Sequence, residues 1–196
     1  YSAGFFNVYE SALSSGAQFA VHLGDYIYES GSEASKYGNT DSTTTPAGTA
    51  ASIGRVVSPA NDIVSLSDYR TRYALYRADP SLQALHAKMP WITVWDDHEF
   101  TNNSYATGAQ NHDPVTQGDW TTRKATAAQV YHEWMPIRTP DSTNLFKIYR
   151  KFDFGTLFTL HMIDTRIEGR TKQVYGVYGD PSEPGYAYAD YFRGLT

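Results

Sequence analysis

The chain has 196 residues, of which 41% are hydrophobic, 15% aromatic and 19% charged, and its formal net charge is −5. This composition supports a folded core and excludes a disordered chain, while the acidic charge disfavours duplex nucleic acid and anionic membranes as partners. Cysteine is absent, which excludes disulfides and thiolate sites, and neither a membrane-spanning stretch nor a signal peptide is recognisable.

The first part of the sequence predicts a helix, a strand and a long polar segment. Apolar residues at helical spacing over residues 5–13 predict a helix that ends near Gly16. The apolar run at residues 18–23 predicts a buried strand that ends at a turn. Ser, Thr, Gly and Ala dominate residues 30–59, which predicts a surface excursion, and a mobile insertion is favoured over a functional loop there.

Two consecutive helices are predicted next. A helical pattern covers residues 67–88 and is interrupted at Asp79-Pro80. Three tyrosines fall on one stripe of the first helix: Tyr69, Tyr73 and Tyr76. The same helix carries three arginines: Arg70, Arg72 and Arg77. A phosphate-binding patch is one interpretation of these arginines, but the solvated or ion-paired side of a helix is favoured.

The remaining sequence predicts one strand, one helix and a hairpin. Residues 91–95 predict an apolar strand, and residues 120–135 predict a helix. Two further strands are predicted at residues 146–152 and 155–163, with the hairpin turn at 153–155. Two polar segments predict loops: residues 101–118 and 176–185.

Three of the predicted strands end in aspartate. Asp25 follows the first, Asp96 and Asp97 follow the second, and Asp164 follows the last. Ligands gather beyond the carboxyl ends of strands in layered α/β proteins, so these acids would meet if the strands share a sheet. Packed carboxylates repel one another, and a bound cation removes this cost. Oxygen ligands suit hard cations such as calcium, manganese or iron.

His98 stands among three acids directly after a strand, in the sequence DDHE. Its imidazole could act as a general acid or hold a phosphate oxygen. The alternative is a solvated acidic turn, and the local sequence leaves both interpretations open. Tyr28 lies near Asp25 and offers a hard phenolate oxygen, although core packing is the usual role of tyrosine. The other five histidines are predicted to be packing or surface residues, with His161 a packing residue inside a strand.

Two segments carry a resemblance to a known family: residues 22–29 (HLGDYIYE) and residues 95–99 (WDDHE) with Asn102 and Asn103. They resemble motifs of the PhoD-like alkaline phosphatase family, which belongs to the calcineurin-like metallophosphoesterases. Supporting matches lie at residues 134–138, 149–155 and 163–166. The resemblance spans nearly the whole chain, and its specificity comes from the first two motifs together.

The resemblance implies an α/β fold, a four-layer α/β/β/α sandwich, of which residues 1–196 form part of one metallophosphatase catalytic domain. It implies hydrolysis of phosphomonoesters and phosphodiesters with Fe³⁺ and Ca²⁺, or another divalent metal, as cofactors. The expected partner is a small phosphoester substrate, with no stable nucleic-acid partner and no membrane span. A monomer and an extracellular or periplasmic location are also expected.

The resemblance also assigns roles to residues. It assigns four candidate metal ligands: Asp25, Tyr28, Asp97 and Asp96. Asp25 matches the aspartate that bridges metals, Tyr28 matches the phenolate ligand of ferric iron, and the choice between Asp96 and Asp97 stays open. His98 matches a phosphate-facing histidine, which would orient the phosphate or protonate the leaving group. Arg166 is the candidate substrate-binding residue.

The sequence departs from the family pattern in two ways. The family's ligating cysteine lies upstream of a stretch that resembles residues 1–9, and its later histidine and aspartate motifs lie beyond Thr196. We therefore expect this chain by itself to bind metals poorly and to be weakly active. The alternative function is a non-catalytic secreted module that binds calcium or carbohydrate. A degenerate phosphatase scaffold is disfavoured by the intact set of acidic, tyrosine and histidine residues.

Overall fold

The computed structural model describes residues 1, 3–31, 50–135 and 137–172. The helices are α1 (Val8–Ser14), α2 (Leu66–Arg77), α3 (Pro80–Lys88), α4 (Pro114–Gln117) and α5 (Trp120–Trp134), with a short 3₁₀ helix at Ala50–Ile53. The strands are β1 (Ala20–His22), β2 (Trp91–Thr93), β3 (Ser104–Tyr105), β4 (Gly108–Ala109), β5 (Arg150–Phe154) and β6 (Phe158–Met162). The chain therefore has an α/β fold. In this described part, no helix has the length and apolarity needed to cross a bilayer.

The pairing of β1 with β2 fixes the position of the acidic segments. The two strands are parallel, with Ala20 opposite Trp91 and His22 opposite Thr93. The strands of the described residues otherwise pair as two antiparallel hairpins, β3 with β4 and β5 with β6. Parallel pairing places the carboxyl ends of β1 and β2 at the same edge, so the segments that follow them are neighbours.

Local sequence signals explain the two predicted helices. Ser65 and Asp68 form a capping box at the start of α2. Asp79 caps α3 by accepting from two backbone amides, with Pro80 in the first turn, which is why the helical pattern breaks there. The predicted tyrosine stripe is confirmed, since all three side chains are buried: Tyr69, Tyr73 and Tyr76. Helix α2 packs against α5, and Tyr73 stacks on Trp134.

The prediction of solvated arginines is wrong for Arg72. Arg70 is exposed and pairs with Glu133 at 2.6 Å, whereas Arg72 is fully buried. Its guanidinium donates to five backbone carbonyls: those of Tyr28, Ser30, Ser58, Pro59 and Asn61. Backbone carbonyls of two distant segments converge on this helix face, and such a convergence leaves no signal in the sequence.

Two further predictions about burial need correction. Val21 on β1 and the adjacent Leu23 are exposed, because no described segment covers that face of the strand. Residues 32–49 of the predicted surface excursion lie outside the described residues. Residues 50–59 of it are only partly at the surface: Val56 is exposed, whereas Arg55 is buried and forms an ion pair with buried Asp79 at 2.6 Å.

The last hairpin turns two residues later than predicted. Asp153 still pairs with Thr159, so the turn lies at residues 155–157 rather than 153–155. Gly155 adopts a φ of 57°, which glycine permits without strain. The predicted loop at residues 101–118 contains the β3–β4 hairpin and α4, and the predicted loop at 176–185 lies outside the described residues.

Two histidines pack on one tryptophan in the neutral form. His86 stacks on Trp91 with ring centroids 4.0 Å apart, and its Nε2 lies 2.8 Å from the Tyr26 hydroxyl. His22 contacts the same indole at 5.7 Å. Burial lowers the pKa of both histidines from 6.5 to about 4.

The lowered pKa values of His22 and His86 predict that the folded protein loses stability in mild acid. The unfolded chain takes up their protons near pH 6.5 and the folded chain only near pH 4, so stability is intact above pH 6.5 and falls between these values. We expect roughly 1–2 kcal/mol of loss per histidine on going from pH 7 to pH 5, measured by urea unfolding. His86→Gln should reduce this loss, and His161→Gln, at an exposed ring, should not. Equal pH dependence in wild type and His86→Gln would contradict the interpretation.

Candidate metal centre

Two loops follow the parallel strands: the first loop, residues 23–31, after β1 and the second loop, residues 94–103, after β2. Gly24 brings them into direct contact. A Cβ at Gly24 would lie 2.1 Å from the backbone nitrogen of Asp96, and the Gly24 φ of +106° is itself unfavourable for other residues. The two loops therefore approach through their backbones, which only glycine allows.

The buried carboxylate of Glu99 ties the two loops together. It accepts hydrogen bonds from the backbone amides of Asp25 at 3.0 Å and Tyr26 at 2.5 Å in the first loop, and of Asp96 at 2.8 Å in its own loop. Burial raises the pKa of Glu99 to about 7, and the amide hydrogen bonds limit the rise. Asp25 has a φ of 57°, a conformation that costs about 1–2 kcal/mol outside glycine and that these bonds help to hold.

Asp25, Asp97 and His98 form a cluster at the meeting point of the loops. One potential ligand atom of each lies within 4.8 Å of those of the other two. Asp25 Oδ2 accepts from the Tyr28 hydroxyl at 3.2 Å, whereas Oδ1 is buried without a hydrogen-bond partner. Burial raises the pKa of Asp25; the charge of His98 opposes this rise and the Asp97 carboxylate adds to it. A sheltered carboxylate oxygen without a donor fits a cation.

Tyr28 lies beside the same cluster. Its ring rests on that of His98, with centroids 4.2 Å apart. Burial and the Asp25 carboxylate raise the pKa of Tyr28 to about 12, so its phenol carries a proton at neutral pH. A cation bound by this oxygen would have to displace that proton, which couples binding to pH.

A second buried carboxylate, that of Glu29, holds His98. Glu29 Oε2 lies 2.6 Å from His98 Nδ1, and Oε1 accepts from the Asn102 amide at 2.7 Å and the Thr101 hydroxyl at 3.1 Å. Burial disfavours the charged ring, but the Glu29 hydrogen bond and the nearby carboxylates outweigh it and raise the pKa of His98 to about 9. The pKa of its partner Glu29 is lowered, because the pairing with His98 outweighs the effect of burial.

Sequence reasoning assigned no role to Glu29 or Glu99. Both lie inside the two motifs that carry the family resemblance, at their last positions. Their position inside these motifs was the signal in the sequence from which a role could have been predicted. Acidic residues without a nearby partner in sequence are usually taken as solvated, and here both are almost fully buried.

Asp96 and Asp164 lie outside the cluster. Asp96 forms an ion pair with Arg166, whose Nη2 is 3.0 Å from Asp96 Oδ2 and 3.5 Å from Asp97 Oδ1. Asp164 accepts from the Trp95 indole and from backbone amides of the turn that follows it. The expected meeting of three strand-end acids is therefore wrong for Asp164, because β6 pairs with β5 and not with β1 or β2.

None of the other five histidines belongs to the cluster. Four are partly buried and contact aromatic rings, as predicted: His22, His86, His112 and His132. His161 is exposed, so the prediction that it packs in the core is wrong. It lies on the solvent side of the β5–β6 hairpin and contacts Tyr149 at 3.2 Å.

The fold and this cluster define an α/β protein with a candidate cation site at the carboxyl ends of two parallel strands. The family model for PhoD-like phosphatase matches residues 1–190, and the chain belongs to this family. Alkaline phosphatase D of Bacillus subtilis (strain 168) is 36% identical over 170 residues, which are 85% of this chain and 26% of that protein. A solved structure described as "Structure of PhoD" has a TM-score of 0.66 and 33% identity, over 85% of this chain and 29% of that one.

The family predicted from the two motifs is thus confirmed. The chain spans between a quarter and a third of the length of these relatives.

The contact at Gly24 predicts a strong steric effect. Gly24→Ala places a methyl group against backbone that cannot move aside, so we expect the free energy of unfolding to fall by roughly 2–4 kcal/mol. Gly16→Ala is the matched control, because Gly16 also has a positive φ but no atom within 4 Å of a built Cβ. That control should lose about 1 kcal/mol in denaturant unfolding. Equal losses at both positions would show that contact between the loops is unimportant.

Proposed function

We propose that the protein is a metal-dependent phosphoester hydrolase, an alkaline phosphatase that also acts on phosphodiesters. The observation that carries this proposal is the buried, unpartnered Oδ1 of Asp25 beside Asp97 and His98. Membership of the PhoD-like phosphatase family and 36% identity to alkaline phosphatase D support it. In this proposal residues 1–196 are part of one catalytic domain built as a four-layer α/β/β/α sandwich.

The proposed metal ligands are Asp25, Tyr28 and Asp97, with Fe³⁺ and Ca²⁺ or another divalent metal as cofactors. Asp97 is preferred to Asp96 because it shares the cluster with Asp25, while the Asp96 carboxylate pairs with Arg166. Carboxylate and phenolate oxygens are the donors that such hard cations prefer. When bound, the metals supply Lewis acidity that polarises the phosphate and lowers the pKa of a water.

The remaining proposed roles fall to two cationic side chains. His98 lies beside the cluster, where its ring can contact a phosphate oxygen or donate a proton to the leaving group. Arg166 is held next to Asp97 by its pairing with Asp96, and we assign it to binding an anionic phosphate oxygen. Asp96 therefore positions Arg166 in this scheme.

The wider expectations remain part of the proposal: a small phosphoester substrate, a monomer, and an extracellular or periplasmic location.

The alternative of a carbohydrate-binding module needs exposed flat aromatic surfaces. The larger aromatic side chains do not favour it, since all four tryptophans are buried or half-buried: Trp91, Trp95, Trp120 and Trp134.

Asp25→Asn tests the proposed function directly. It removes a negative charge that the cations need, so we expect metal content to fall and kcat to drop at least about 100-fold. Both are measured in the full-length protein that contains residues 1–196: metal by inductively coupled plasma mass spectrometry, and turnover with p-nitrophenyl phosphate and bis(p-nitrophenyl) phosphate. Asp153→Asn, at an exposed position on β5, is the control and should keep both metal and turnover.

Two outcomes would count against the proposal. Near-normal turnover in Asp25→Asn would reject its assignment as a ligand. Stoichiometric calcium in a wild-type protein that hydrolyses neither ester would favour the calcium-binding module instead.

A further inference from the structure

Glu29 has no role in the proposed function as stated, yet its contact with His98 is the shortest that His98 makes with a charged group. We propose that Glu29 is a positioning residue that fixes the His98 ring so that Nε2 donates a proton to the leaving oxygen. This inference rests on the proposed function. It also names a substrate class, since such a proton matters most for phosphoesters of aliphatic alcohols.

The Glu29 carboxylate is itself firmly held. Only 2% of Glu29 is exposed, and Oε1 is occupied by the Asn102 amide and the Thr101 hydroxyl. The backbone on either side of it is fixed by Arg72, which donates to the carbonyls of Tyr28 and Ser30. Oε2 is therefore held at its position facing His98 Nδ1, 2.6 Å away.

These contacts determine which ring nitrogen faces a ligand. A carboxylate accepts hydrogen bonds and does not donate them, so His98 Nδ1 carries a hydrogen toward Glu29. Nε2 is then the nitrogen available to a ligand. The Tyr28 ring covers one face of the imidazole at 4.2 Å and restricts its rotation. Glu29 and Tyr28 thus fix both the tautomer and the orientation of the ring.

A water oxygen forms the new bond to phosphorus while the bond to the leaving oxygen breaks, and its electron pair stays on that oxygen. The proton on His98 Nε2 moves to the same oxygen, which leaves as a neutral alcohol, and the ring regains a proton from solvent. An aliphatic alkoxide is a strong base and needs this proton, whereas p-nitrophenolate is stable enough to leave without it.

The experiment compares two esters in the metal-loaded, full-length protein that contains residues 1–196. With ethyl phosphate, Glu29→Gln should lower kcat about 10–100-fold, because the ring loses its fixed orientation. With p-nitrophenyl phosphate, kcat should change less than about threefold, and metal content should stay at the wild-type level. Glu133→Gln makes the same chemical change at an exposed ion pair with Arg70 and should leave both reactions unaltered.

A double-mutant cycle separates positioning from a general structural role. If Glu29 acts through His98, then Glu29→Gln should have little further effect on ethyl phosphate turnover in a His98→Gln background. Equal losses with both esters, loss of metal in Glu29→Gln, or additive losses in the double variant would each overturn the inference alone. Failure of the metal-loaded, full-length wild-type protein to hydrolyse either ester would overturn the proposed function, and the inference with it.

Discussion

The arrangement of the site depends on one buried carboxylate, that of Glu99, which accepts amide hydrogens from both strand-end loops. Burying a charge without partners is costly, but here each hydrogen bond also satisfies a backbone amide that would otherwise be unpaired. The missing side chain at Gly24 lets the loops approach closely enough for these bonds to form. Parallel pairing of β1 and β2 sets the direction in which both loops leave the sheet. Without these three features Asp25 and Asp97 would have no reason to meet.

Two further buried ionic groups extend this arrangement into the core. Arg72 projects from α2 and binds the carbonyls on either side of Glu29, and Glu29 in turn holds His98. Helix α2 packs against α5, so the position of His98 is linked through Arg72 to the packing of these two helices. The groups that place the site are thus buried and fully engaged with one another or with backbone, while the cluster retains an unpartnered oxygen on Asp25.

Local signals allowed the helices to be predicted, and non-local contacts account for the errors. The break between α2 and α3 is visible because Asp79 and Pro80 are themselves the capping signal. The burial of Arg72 could not be predicted, since its carbonyl partners lie 11 to 44 residues away in sequence. The place of Asp164 depends on which strand β6 pairs with, which no periodicity encodes. Asp96 and Asp97 are consecutive, so a sequence pattern could not tell which faces Asp25 and which faces Arg166.

The distribution of charge around the cluster would suit a bound cation. Arg166 is paired mainly with Asp96, since its contact with Asp97 is longer, at 3.5 Å. His98 is paired with Glu29 through Nδ1, and its charge offsets only part of the rise in the pKa of Asp25. Asp25 and Asp97 face each other in this cluster, where burial raises the pKa of Asp25 and the carboxylates of Asp97 and Asp96 add to the rise. A hard cation would relieve this repulsion and supply the partner that Asp25 Oδ1 lacks.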